Sequence, residues 1–109
     1  MQFSITNLTH IKQRKMKATI ALNKTFSVIT ENSVSTHQYS QFEAEINKLD
    51  EIILSASLVP EKQYRKYKAV IAESGFSLRY VQWYSTTAVN DGKNTAVTAR
   101  VHFYKQKNN

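Results

Sequence analysis

The sequence predicts an α+β fold: a two-layer sandwich in which a four-stranded, mainly antiparallel sheet carries two helices on one face, in the order ββααββ. Three observations lead to it. Apolar residues alternate with period two towards both ends of the chain, and they recur at helical spacing in the middle. Asp91-Gly92 separates two long runs rich in β-branched and aromatic residues, and this dipeptide favours the positive φ angles of a hairpin turn. With 109 residues, 41% of them hydrophobic, and only two glycines and one proline, residues 1–109 are expected to form one domain.

A first strand is expected over residues 2–8, with Phe3 and Ile5 inward. His10 to Lys17 follows as a polar hairpin tip that holds Lys12, Arg14, Lys15 and Lys17. Between Lys17 and Thr30 the even positions Ala18, Ile20, Leu22, Phe26 and Val28 are apolar. A two-residue turn at Asn23-Lys24 would set Ile20 against Ser27 and mix the faces. One long strand, bulged near Lys24, is therefore expected, with Glu31 to His37 as a polar connection.

Ser40-Gln41-Phe42-Glu43 has the spacing of a capping box, and Phe42, Ile46, Leu49, Ile53 and Ala56 fall on one helical stripe. A helix from Gln41 to Ser57 is expected. Pro60 suits the first turn of a second helix, in which Tyr64, Tyr67, Val70 and Ile71 point inward. Lys62, Arg65, Lys66 and Lys68 cover its other side, and Gly75 closes it. A helix followed by a hairpin resembles the recognition helix and wing of winged-helix DNA-binding proteins. That resemblance is one of element order alone, and the long strands and strand-rich first third depart from it.

In the last strand Val97, Ala99, Val101 and Phe103 point to the core, and Thr98, Arg100, His102 and Tyr104 point away. A two-residue Asp91-Gly92 loop sets Tyr80 opposite Phe103 and Tyr84 opposite Ala99. It leaves Trp83 facing Arg100 and Arg79 facing Tyr104 on the outer side. A three-residue loop buries Val81 and Trp83 instead and leaves Tyr80 and Tyr84 outside. The shorter loop is preferred, because it continues the line Phe76, Leu78, Tyr80. Under either register the outer face carries Arg100, His102, Tyr104 and at least one more aromatic residue.

Net charge is +7 and unevenly spread: residues 1–30 hold five basic and no acidic side chains, whereas residues 31–59 come to −4. Such segregation suits a polyanion or an acidic protein surface. The expected function is that of a small non-enzymatic nucleic-acid-binding module, with single strands favoured. Lys12, Arg14, Lys15 and Lys17 on the tip, Lys62, Arg65 and Lys66 on the second helix, and Arg79, Trp83, Arg100, His102 and Tyr104 on the outer face would form the site. Rings stack bases there while cations hold phosphates. The alternative is an inhibitor or adaptor of the phage- or plasmid-accessory kind, docking on a protein through the same aromatic and arginine residues. Solvated cross-strand pairs account for these residues with no partner at all, and a homodimer through the open face or an edge strand is a further alternative.

Other chemistries find no support. The chain has no cysteine, which rules out disulfides and thiolate metal sites. His10, His37 and His102 lack ligand spacing, and no glycine-rich phosphate loop or nucleophile elbow occurs. No catalytic residue, metal or cofactor is expected. Neither a signal-peptide core nor a membrane span is visible, so a cytoplasmic location without membrane contact is expected.

Overall fold

The computed structural model describes residues 15–89 and 94–106. Its strands are β1 (Lys17–Leu22), β2 (Phe26–Ile29), β3 (Val34–His37), β4 (Glu51–Pro60), β5 (Phe76–Val89) and β6 (Asn94–Lys105). A 3-10 turn (Tyr39–Gln41) leads into helix α1 (Phe42–Ile46), and helix α2 (Glu61–Glu73) joins β4 to β5. The six strands form one sheet in the order β3-β2-β1-β4-β6-β5. It is mixed: β1 and β4 run parallel, and every other neighbouring pair is antiparallel. The expected four-stranded ββααββ arrangement is therefore wrong in strand number, pairing and element order.

Three local misreadings produced that error. Residues 17–30 are two strands rather than one. Asn23, Lys24 and Thr25 form a three-residue connection, which pairs Ile20 with Val28 and Leu22 with Phe26 and keeps apolar residues on one face. The polar segment after Thr30 contains an edge strand, β3, held by ladder pairs such as Ser27 with Thr36. The expected helix 41–57 stops at Ile46, and its second half becomes β4. Ile52, Leu54 and Ala56 are buried in alternation with Glu51, Ile53 and Ser55, a period of two rather than 3.6. Strand partners on both sides, β1 and β6, outweigh the local helical spacing. The expected strand 2–8 lies outside the described residues, and both edges of β1 are taken by β2 and β4.

Helix α2 matches its expected span. Pro60 is its N-cap, and Gly75 follows the C-cap Ser74 with φ +97°, a conformation that glycine adopts at little steric cost. The core lies between the helices and one sheet face. Ile20, Phe26, Ile52, Leu54, Val97 and Val101 from the strands meet Phe42, Ile46, Tyr64 and Ile71 from the helices. Aromatic rings seal one end, with Phe26 and Phe42 edge-to-face at 5.0 Å and Tyr39 stacked on Tyr67 at 4.4 Å. The Tyr39 hydroxyl donates to the Asn23 carbonyl at 2.6 Å and accepts from the Gln63 amide at 2.6 Å, tying the β1–β2 connection to α2.

Near its C-terminal end β4 is bulged: Ser57 and Leu58 together oppose Thr98. Leu58 sits at φ +52° with its N–H donating to Thr98 Oγ1 at 3.2 Å. A branched side chain is strained in this left-handed region. Leu58→Gly is expected to raise stability by about 1 kcal/mol, because relief of strain exceeds the backbone entropy cost; urea unfolding measures it.

Burial raises the pKa of Tyr64, with Tyr84 adding to the effect. Burial also raises that of Tyr39, against opposing hydrogen bonds to Asn23 and Gln63. The fold therefore prefers both neutral phenols. Their stabilisation is complete below the unfolded value near 10 and is lost as pH rises through the higher folded values. Absorbance at alkaline pH should show these two ionising later than the exposed tyrosines, with stability falling in the same range.

Candidate functional site

The sheet face turned away from the helices is built from Glu51, Ile53 and Ser55 of β4, Arg100, His102 and Tyr104 of β6, and Arg79, Tyr80 and Trp83 of β5. From Trp83 to Val89, β5 pairs with β6 in the register that a two-residue Asp91-Gly92 loop requires, with Trp83 opposite Arg100 and Tyr84 opposite Ala99. The turn itself lies outside the described residues. Towards Phe76 the register slips by one residue twice, between Val81 and Trp83 and between Leu78 and Tyr80. Gln82 and Arg79 are the extra residues.

Each slip reverses which side chains face the core. Tyr80 therefore lies opposite His102, not Phe103 as the unbulged register predicts, and shares the open face with Trp83 three positions away. Val81 takes the inward place opposite Val101. The open face gains one ring per rung of the β5–β6 ladder: Tyr104 opposite Ser77, Tyr80 opposite His102, and Trp83 opposite Arg100. These rings remain 36%, 45% and 45% exposed respectively. Consecutive rungs are two residues apart on β6, a spacing of about 6.8 Å.

Cations lie at both ends of this row. The Arg79 guanidinium is 5.9 Å from the Tyr104 ring centroid, within cation–π range, and Arg100 shares a rung with Trp83. Among the described residues no carboxylate pairs with Arg100. A cleft of about 490 Å³ opens beside the Tyr104 end, lined by Lys15, Asp50, Arg79, Tyr104, Lys105 and Gln106.

Beneath the row, Glu51 is the only carboxylate that the described strands place on this face. Its Oε2 lies 2.6 Å from His102 Nε2, 3.9 Å from Lys17 Nζ and 4.0 Å from Arg79 Nη1. His102 is buried, with the Tyr80 ring packed edge-on at 4.8 Å and 88°. Glu51 and His102 form the footing of the site: they hold Tyr80 upright, and the carboxylate is enclosed by positive groups rather than presented to solvent.

Of the residues expected in the site, Lys17, Arg79, Trp83, Arg100, His102 and Tyr104 come together here, with Lys15 in the adjoining cleft. His102 lies under the surface and is not available for contact. Lys62, Arg65 and Lys66 are exposed on α2, in the layer on the other side of the sheet. Arg65 is there paired with Glu61, and Lys66 lies over the Tyr67 ring. The expected convergence of the helix cations with the sheet face does not occur. Lys12 and Arg14 lie outside the described residues. Glu51 was missed by sequence reasoning, and Tyr80 was expected outward only with a three-residue loop. The signal for Tyr80 was Val81, a β-branched residue of the wrong parity between Leu78 and Tyr84. Glu51 carried none, because it lies within the expected helix and off its apolar stripe.

Among the described residues no helix is long and apolar enough to cross a membrane, and no group of three or more metal-ligating side chains is assembled. No protein family, curated protein or solved structure matches the chain.

Removing the Glu51 carboxylate strands a buried imidazole, so Glu51→Ala is expected to cost about 1–3 kcal/mol of stability. Lys17→Ala, at the exposed end of the same cluster, should cost less than about 1 kcal/mol. Paired urea-unfolding midpoints distinguish the two.

Proposed function

We propose that this protein binds single-stranded nucleic acid across the open face of its sheet, as a non-enzymatic module. The observation that carries the reading is the row of half-exposed rings Tyr104, Tyr80 and Trp83, one per rung, with Arg79 and Arg100 at its ends. Bases stack on such rings without regard to sequence, and guanidinium groups take the phosphates between them. The rung spacing of about 6.8 Å is twice the roughly 3.4 Å rise per nucleotide of a duplex strand. A ligand that fills all three rungs must therefore hold its bases apart, which favours an unpaired strand. The basic side of α2 has no part in this reading.

Trp83 is the chain's single tryptophan, so its fluorescence reports directly on the row. Titration with a short single-stranded oligonucleotide should quench it. Two phosphate-contacting arginines predict a slope of log affinity against log salt near −1.4, and Arg100→Ala should make that slope shallower by about 0.7. Trp83→Ala should cost about 1–3 kcal/mol of binding free energy, whereas the double change Lys62→Ala, Lys66→Ala should leave affinity unaltered. Absence of quenching at low salt, or quenching indifferent to salt, rules the proposal out.

A further inference from the structure

The nucleic-acid reading leaves one side of β5 unexplained. Leu78, Val81 and Tyr84 point towards the helix layer yet stay 53%, 45% and 54% exposed, even with the Tyr64 ring of α2 lying 6.4 Å from that of Tyr84. With Tyr80 and Trp83 they place five of the nine large exposed hydrophobic residues among the described ones between positions 78 and 84 of one strand. That strand is also an edge: β5 closes the sheet order, and among the described residues its outer backbone groups have no neighbour.

The other edge is blunted. β3 has only four residues, and His37 at its end lies 3.7 Å from Glu45 of α1. Short edge strands of this kind deter pairing with another chain. β5 has 14 residues, and its two bulges protect only the stretch before Trp83. Beyond them, Trp83 to Val89 runs as regular ladder, and the sequence from Tyr80 to Val89 holds no charge, proline or glycine. In a chain of net charge +7, this segment is where a second copy meets least repulsion.

We infer that β5 pairs antiparallel with β5 of a second copy, so that two six-stranded sheets become one. Centring the two-fold axis on Ser85 sets Trp83 opposite Thr87 and Tyr84 opposite Thr86, and keeps Arg79 outside the regular segment. Pairing centred on Ser85 covers the backbone edge and the flanks of the side chains from Trp83 to Thr87, and leaves the ring faces of Tyr80 and Trp83 open. Such a contact is smaller than the roughly 800 Å² per partner of a standard interface, so the dimer is expected to be weak. A two-fold axis perpendicular to the sheet puts both helix layers on one side and both rows of rings on the other.

Sedimentation of the intact chain, from low micromolar to near-millimolar concentration, should show a monomer–dimer equilibrium that added salt strengthens or leaves unchanged. The double change Tyr84→Lys, Thr86→Lys sets like charges opposite each other across the axis and should weaken the dimer at least about tenfold. Tyr84→Glu with Thr86→Lys sets opposite charges there and should retain it. Hydrogen exchange of the wild-type chain gives an independent reading: outward amides between Trp83 and Thr87 should be protected when concentrated and lose protection on dilution. A chain that stays monomeric throughout, a double-lysine variant that dimerises like the wild type, or edge amides indifferent to concentration overturns the inference.

Discussion

The parallel pairing of β1 with β4 is the constraint on which the remaining structure depends. Parallel neighbours cannot be joined by a tight turn, so the chain has to pass back over the sheet, and α1 lies on that return. β4 and β5 also run in the same direction, with β6 between them, and α2 makes the second return. Both returns move across the sheet the same way. Crossovers of the usual right hand that advance in one direction lie on one side. Hence both helices share a face with Ile20, Leu54 and Val101, and the side bearing Glu51, Ile53 and Ser55 is left to strands.

The two faces obey different rules. On the covered face, period-two alternation is kept through β1, β2 and the first part of β4, because a single misplaced residue there would put a polar group among Phe26, Ile52 and Leu54. On β5 the rule is broken twice within six residues. An edge strand tolerates this, since only one neighbour has to accommodate the extra residue. The irregularity is what gathers Tyr80, Trp83 and Arg79 on one side, while Glu51 and His102, on unbulged stretches of β4 and β6, lie beneath them.

How far the sequence foretold this differs from element to element. Helix α2 was legible because Pro60, the Tyr64–Tyr67–Ile71 stripe and Gly75 agree with one another. The inward set Val97, Ala99, Val101, Phe103 was legible for the same reason. Residues 46–56 were not: Ile46, Leu49, Ile53 and Ala56 satisfy helical spacing, while Ile52, Leu54 and Ala56 satisfy strand spacing. Only the presence of β1 and β6 on either side decides between them. The β1–β2 connection was not legible, because Asn23, Lys24 and Thr25 hold no glycine or proline to mark a turn, and only a three-residue loop keeps both apolar faces in register. Bulges have no residue signature of their own, so Arg79 and Gln82 could be recognised only by the parity error they leave at Val81.

Bulges also coil the strand that carries them. With two so close together, the path through Tyr104, Tyr80 and Trp83 is a screw rather than a straight track, and anything lying along it has to wind at the pitch of the strand. A double helix, whose stiffness persists over about 150 base pairs, resists such local winding. A polymer with freely rotating backbone torsions does not, so under the proposed function the sheet would sort its ligands by stiffness before any base is read.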